Sequence, residues 1–183
     1  MEIRPLDIAD VKLVKPARFV DGRGFFSEVY RTSAFTEAGL AVEFIQDNHS
    51  RSNRAGTVRG LHFQLPPHAQ DKLVRVARGR IFDVAVDVRR RWPTFGRHVA
   101  IELSAENWLQ VFIPAGFAHG YCTLEPDTEV LYKASAAYAP HADAGILWDD
   151  PDLAIAWPVA AGAALLSEKD TRLPRLKDAP VLF

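Results

Sequence analysis

The 183-residue chain has a single cysteine, Cys122, and so no partner for an intrachain disulfide, which suits a reducing compartment. It carries no excess of either charge: 22 Lys and Arg stand against 23 Asp and Glu, a net charge of −1. That balance gives no general electrostatic reason to expect nucleic acid or an acidic membrane as a partner. Long apolar runs are missing too. The longest, Val159 to Leu166, is too short to span a bilayer, and the opening Met1-Glu2-Ile3-Arg4-Pro5 puts charges and a proline where a secretory signal needs apolar residues. A cytoplasmic location is the expectation. No glycine-rich phosphate loop stands between a strand and a helix, which argues against nucleotide binding of the Rossmann or P-loop kind. Linkers, repeats and charge blocks are also absent, so residues 1–183 read as one domain.

What is present is the composition of a globule, 48% hydrophobic and 25% charged. Helical signal is confined to one place, where Thr32 and Ser33 can cap a turn or two through Phe35 and Ala38 before Gly39 stops it. The rest is strand. Alternation from Lys72 to Val76, a turn at Arg78-Gly79, and renewed alternation with Phe82, Val84, Val86 and Val88 on one face predict a hairpin. Further strands are expected over Val99 to Leu103, Trp108 to Ile113, Ala118 to Leu124 and Glu129 to Ala134. Many short strands at close spacing point to an all-β antiparallel sandwich or barrel with few short helices. Cys122, inside Gly120-Tyr121-Cys122-Thr123-Leu124, reads as a small buried hydrophobe rather than a nucleophile.

Polar residues that interrupt these strands are the informative ones, because a sandwich interior is apolar unless it holds a ligand. Arg59, His62, Lys72, Asp83 and His119 stand out. Each alone has an ordinary reading, a hydrogen-bonded strand histidine or a solvated edge lysine, but they cluster. Arg59 and His62 are three apart, which on a regular strand would point them to opposite faces. Gly60 between them offers a bulge that would re-aim one. His62, Gln64, Gln70 and His119 also raise a metal reading, but neutral amides are poor replacements for the imidazole and carboxylate that a metal-binding cupin uses. No metal or other cofactor is expected. His68, flanked by Pro67 and Ala69, reads as an exposed loop residue.

The motifs run in a recognisable order: Asp21-Gly22-Arg23-Gly24-Phe25-Phe26-Ser27-Glu28, Gln46-Asp47-Asn48-His49-Ser50, Arg59-Gly60-Leu61-His62-Phe63-Gln64, Gln70-Asp71-Lys72-Leu73-Val74, Phe82-Asp83-Val84-Ala85-Val86-Asp87, Pro114-Ala115-Gly116-Phe117-Ala118-His119-Gly120, Tyr132-Lys133, Trp148-Asp149-Asp150-Pro151 and Ser167-Glu168-Lys169-Asp170. In this order and over nearly its whole length the chain resembles the dTDP-4-dehydrorhamnose 3,5-epimerases. The resemblance implies a cupin-like jelly roll that works without metal. It implies inversion of C3 and C5 of a dTDP-4-dehydro-6-deoxy-D-glucose substrate through an enolate. By the same likeness His62 is the general base, Asp170 its carboxylate partner and Tyr132 the acid on the other face of the sugar. Tyr138 is a rival for the acid role or a base-stacking contact.

The chemistry asks for such a set. A base and a carbon acid mismatched by roughly ten pKa units leave proton transfer uphill by about 14 kcal/mol, so cations must stabilise the enolate oxygen. Arg59 and Lys72 supply them. For the nucleotide the resemblance implies Arg23 and Lys169 at the diphosphate, Gln46, Asn48 and Glu28 at the deoxythymidine, Phe19 as a stacking surface, and His119 with Asp83 lining the sugar pocket. It also implies a homodimer whose N-terminal segments are exchanged, so that Arg23 and Glu28 serve the neighbour's site, and a C-terminal segment that packs near the site. Asp143 stands where the family commonly has Glu, one methylene short of the usual substrate contact. Two other readings remain open at this level: an epimerase acting at C3 or C5 alone in antibiotic-sugar biosynthesis, and a non-catalytic cupin that binds a sugar or a metal.

Overall fold

A computed structural model describes residues 1–179 and 183. Its strands are β1 (Glu2–Pro5), β2 (Lys12–Lys15), β3 (Phe19–Asp21), β4 (Gly24–Phe26), β5 (Gln46–Ser52), β6 (Val58–Gln64), β7 (Lys72–Arg78), β8 (Arg80–Asp87), β9 (His98–Ser104), β10 (Gln110–Ile113), β11 (Phe117–Thr123), β12 (Thr128–Ala134) and β13 (Asp143–Gly145). They form a six-stranded sheet in the order β1-β2-β10-β7-β12-β5, a five-stranded sheet in the order β13-β6-β11-β8-β9, and the small β3-β4 hairpin. The strand pairs within these sheets are antiparallel, as a jelly roll requires. Among the described residues no helix is long and apolar enough to cross a membrane.

Period-two alternation decides what fills the space between the sheets. From β7 it takes Val74 and Val76, from β12 Val130, from β10 Val111 and Ile113, and from the opposite sheet Ile81, Ala85, Val99, Leu103 and Phe117. Outside the five-stranded sheet, Leu61, Phe63, Val84, Val86 and Val88 are covered by Leu153, Leu176 and Ala179 of the C-terminal segment. Outside the six-stranded sheet, Val14, Leu73 and Phe112 are covered by Phe35 of the helix α1 (Thr32–Glu37). Cys122 is buried beside Val58 and Trp148, and burial pushes its thiol up to about 11, so it is inert as a nucleophile at neutral pH.

Three local expectations need correction. β7 and β8 are not a hairpin: β7 pairs with β10 and β12, β8 with β11 and β9, and the chain crosses from one sheet to the other at Gly79. A single left-handed residue there (φ 74°) makes a corner, and a β carbon on it would lie 2.4 Å from Thr128 Oγ1. The strand expected from Trp108 begins at Gln110, because Trp108 has φ 59° and the Asn107 side chain accepts the Leu109 N–H. Arg31, not Thr32 or Ser33, is the N-cap of α1, and no side chain caps it.

β6 and β11 show the most consequential irregularity. His119 pairs with His62 and Tyr121 with Arg59, so two residues on β11 span three on β6. The bulge sits at Gly60 (φ 124°), where a β carbon would fall 2.6 Å from the Gly120 Cα, and one on Gly120 would fall 2.7 Å from the Arg59 carbonyl oxygen. Gly120→Ala is therefore expected to destabilise the fold by about 1–3 kcal/mol through overpacking alone. The check is the urea midpoint, which should fall with an unchanged slope; an unaltered midpoint would refute the close-approach argument.

Candidate active site

The bulge turns Arg59 and His62 into the same space. Together with Lys72, His119, Tyr121, Tyr132, Lys169 and Asp170 they line a cavity of about 460 Å³ between the sheets. Strand register explains the sharing. Tyr132 stands opposite Asn48 and Val74, and Ala134 opposite Gln46 and Lys72, so Tyr132, Asn48, Gln46 and Lys72 all project from the inner face of the six-stranded sheet. On the facing sheet His119 stands opposite His62 and Ala85, and Tyr121 opposite Asp83. The imidazole of His62 and the phenol of Tyr132 thus enter the cavity from opposed walls.

His62 Nε2–H donates to Asp170 Oδ1 at 2.6 Å. That bond fixes the tautomer and leaves the Nδ1 lone pair to take a proton. Asp170 comes from a 3-10 turn (Asp170–Arg172) in the C-terminal segment, which is anchored beside β6 by Val58 N–H to Leu165 O (2.9 Å) and Leu165 N–H to Gly56 O (2.9 Å). Burial pushes the Asp170 carboxyl up, but hydrogen bonds from His62, Ser167 and the Gly60 backbone N–H hold it below the usual carboxylate range. It stays ionised as a partner for an imidazolium.

Burial lowers Lys72 to about 8, against the opposing pull of Asp143 and Asp83. At neutral pH it is mainly cationic and poorly hydrated, the state in which a cation best stabilises an oxyanion. Its ammonium reaches the His62 carbonyl oxygen at 3.4 Å. Arg59 is steadied by Ser52 Oγ and the Arg51 carbonyl, at 3.3 and 3.2 Å. Burial raises the Tyr132 phenol, which keeps its proton available for donation. His119 Nε2 and Asp83 Oδ2 are 2.8 Å apart and both buried, a second imidazole–carboxylate pair in the cavity wall.

Other candidates sit around this space. An adjoining cavity of about 180 Å³ shares His62, Lys72, Tyr132 and Lys169 and adds Gln64, Gln70, Tyr138 and Asp143. Tyr138, 58% exposed, donates its hydroxyl to Asp143 at 3.0 Å, and Asp143 also pairs with Lys169. Gln46 Nε2 donates to Asn48 Oδ1 at 2.9 Å, while the buried Asn48 Nδ2 has no hydrogen-bond partner among the described residues. Phe19, Arg23 and Glu28 do not line the cavity of their own chain. Phe19 is exposed on β3, Arg23 pairs with Asp21 at 2.6 Å, and Glu28 pairs with Arg31 at 3.3 Å. Gln64 and Gln70 spend their amides on loop carbonyls. Tyr121 was not anticipated: its hydroxyl bonds Ser50 Oγ at 2.8 Å in the cavity wall, and its place two residues after His119 on one strand was the available signal.

A further groove of about 220 Å³ lies on the outer face of the six-stranded sheet, where Lys133 pairs with Asp47 and His49 with Glu129, both at 2.9 Å, and Arg75 adds a further cation.

Proton exchange at a carbon beside a carbonyl is what the inner cavity is equipped for, and this defines the class: a jelly-roll sugar isomerase. Residues 5–178 match the family model described as dTDP-4-dehydrorhamnose 3,5-epimerase. A protein of that name from Sinorhizobium fredii is 52% identical over 183 residues, covering 100% of this chain and 93% of the relative. The crystal structure of a Bacillus anthracis dTDP-4-dehydrorhamnose 3,5-epimerase with TDP and PPi bound superposes with a TM-score of 0.92 at 46% identity, covering 95% of this chain and 98% of that one. A 3'-monoepimerase from Streptomyces bikiniensis, in complex with dTDP-quinovose, gives 0.88 at 35% identity, over 95% of this chain and 87% of that one. The chain belongs to the dTDP-4-dehydrorhamnose 3,5-epimerase family, and the choice between a catalyst and a non-catalytic cupin falls to the enzyme.

Two outcomes test the site. Asp170→Asn keeps the shape but not the charge or the tautomer, so kcat/KM should fall by about 10²–10⁴ with little change in melting temperature. The pH profile of kcat/KM should show a falling limb near pH 8 as Lys72 loses its proton. Lys72→Arg should move that limb upward at a lower plateau, whereas an identical limb in the variant would assign it to another group.

Proposed function

We propose that this chain inverts both C3 and C5 of dTDP-4-dehydro-6-deoxy-D-glucose, giving dTDP-4-dehydro-L-rhamnose, in the cytoplasm and as a homodimer. The observation that carries the reading is the placement of His62 and Tyr132 on opposed walls of one cavity, with Lys72 and Arg59 beside them. His62 Nδ1 takes the proton from C3 or C5, and the electron pair of that bond moves into the C4 carbonyl to give an enolate. Lys72 and Arg59 stabilise the oxygen. Tyr132 returns a proton to the carbon from the other side, which inverts it; a second round at the other carbon follows after solvent resets both groups. Asp170 holds the imidazolium between the two transfers. Tyr138 is a poorer acid, since its hydroxyl is committed to Asp143.

Lys169 fits a diphosphate contact at the rim, and the unpartnered Asn48 Nδ2 fits a nucleoside contact. The homodimer reading is supported by the β3-β4 hairpin, which exposes Phe19, Val20, Phe25 and Phe26 together, an apolar patch that a second copy would cover. Arg23 and Glu28, lying outside their own cavity, are then the neighbour's contacts.

The test is turnover of the 4-keto sugar nucleotide in D2O followed by NMR. Deuterium should enter at C3 and at C5 with inversion at both. Label at one carbon only would establish a mono-epimerase. Tyr132→Phe should still exchange protons, through His62, while inversion falls by at least about 100-fold; unimpaired inversion in that variant would remove the phenol from the mechanism.

A further inference from the structure

The edge of the sandwich carries a constellation that the epimerase chemistry leaves idle. His68, in the loop between β6 and β7, and His141, in the loop between β12 and β13, bring their Nε2 atoms to 3.1 Å. Their rings are nearly perpendicular, with centroids 4.8 Å apart. The second distance excludes a collinear hydrogen bond and admits a shared ion. A collinear N–H···N bond of this length would hold the centroids about 5.4 Å apart, because each nitrogen lies a little over 1 Å from its ring centre. Two imidazoles aimed at one ion about 2.05 Å from each nitrogen would subtend roughly 100° at that ion and set their centroids about 4.8 Å apart. The observed spacing matches the second arrangement, and a bent N–H···N bond between the rings meets it too, so both nitrogens can reach one ion with little movement of either ring.

Both loops are fixed without any ion. The buried Gln64 donates Nε2 to the His68 carbonyl (2.7 Å) and the Ala137 carbonyl (3.2 Å) and accepts the Ala139 N–H on Oε1 (2.8 Å). Gln70 Nε2 adds a bond to the Ala136 carbonyl at 2.7 Å. One glutamine thus ties the segment holding one imidazole to the segment holding the other, and the pair is preorganised.

We propose that His68 Nε2 and His141 Nε2 form a binding site for a divalent transition metal, with water completing the coordination. Imidazole pairs favour Zn²⁺, Ni²⁺ or Cu²⁺ over Mg²⁺ or Ca²⁺, which require oxygen ligands. Among the described residues no third His, Cys, Asp or Glu joins the pair, so the open positions face solvent. On binding, the ring that donates the hydrogen bond moves its proton to Nδ1, and both nitrogens present lone pairs to the ion. The site is distinct from the inner cavity, whose wall includes neither histidine. A bound ion would clasp the loop that carries Tyr138 to the loop that carries Gln70.

The experiment is calorimetric titration of the chelator-treated full chain with ZnCl2 and NiCl2 at neutral pH, for wild type, His68→Ala and His141→Ala. Wild type should bind one ion per chain, and each variant should lose more than the roughly 10–100-fold that removal of a mere outer partner costs. Zn²⁺ should raise the melting temperature of wild type and of neither variant, whose metal-free melting should match wild type. Cu²⁺ electron paramagnetic resonance should show two coordinated nitrogens in wild type and one in each variant. No binding by wild type, or equal binding by wild type and both variants, would overturn the proposal. In the latter case the ion would be seated elsewhere, at His62 and Asp170.

Discussion

At Gly60 and Gly120 the backbones of β6 and β11 approach so closely that neither position has room for a β carbon. The catalytic arrangement depends on this contact. A regular strand would send Arg59 and His62 to opposite faces, one into the cavity and the other under the C-terminal covering. The extra residue of the bulge lets both look inward. The carboxylate arrives from more than a hundred residues further along the chain, yet its position is set by that local irregularity and by the short bridge between Thr57 and Leu165. Bulges near active sites commonly serve this end: they re-aim a side chain without dismantling the sheet.

The electrostatics follow from where the polar residues fall in an otherwise apolar sandwich. Along β7 the inward residues run Lys72, Val74, Val76, so the lysine stands at the boundary between core and cavity and is stripped of much of its water. Burial costs the ammonium stability as a cation, and that same loss makes it a stronger partner for a developing oxyanion than a hydrated surface lysine would be. Tyr132 is the next inward residue after Val130 on β12 and shares the environment, with the opposite consequence, since burial favours its neutral form. One dielectric boundary therefore weakens a cation and preserves an acid, and both effects assist enolate chemistry.

The inner face was readable from alternation alone. Phe82, Val84, Val86 and Val88 share a face as the period-two pattern requires, and Ile81, Asp83 and Ala85 take the other. Partnership between strands was not readable, because alternation says which way a residue points and nothing about which strand lies alongside. The turn at Arg78-Gly79 looked like a hairpin for that reason, while the fold uses it as a corner between sheets. His62 and Lys72 could be suspected from their place in strands; Asp170 could not, since a Ser-Glu-Lys-Asp turn looks solvated until the tail is folded back over β6. That Asp170 and Tyr132 share a cavity with His62 follows from the family motifs and not from residue chemistry alone. Tyr121 shares the inward face with His119 by the same alternation, two residues further along β11.

Gln64 shows how one substitution of residue type redirects a fold's use. It stands on β6 two residues from His62, where a cupin that relies on metal would place a second imidazole. An amide there does something an imidazole cannot: it donates to two carbonyls and accepts from an N–H at once. Those three bonds bind the 65–71 and 135–142 loops to the strand that carries His62. His62 pairs with the Asp170 carboxylate through Nε2, which leaves the Nδ1 lone pair unengaged by that bond. An imidazole whose lone pair coordinates metal is no longer available as a proton acceptor, so a tethering amide beside it and a carboxylate behind it are parts of the same choice of chemistry.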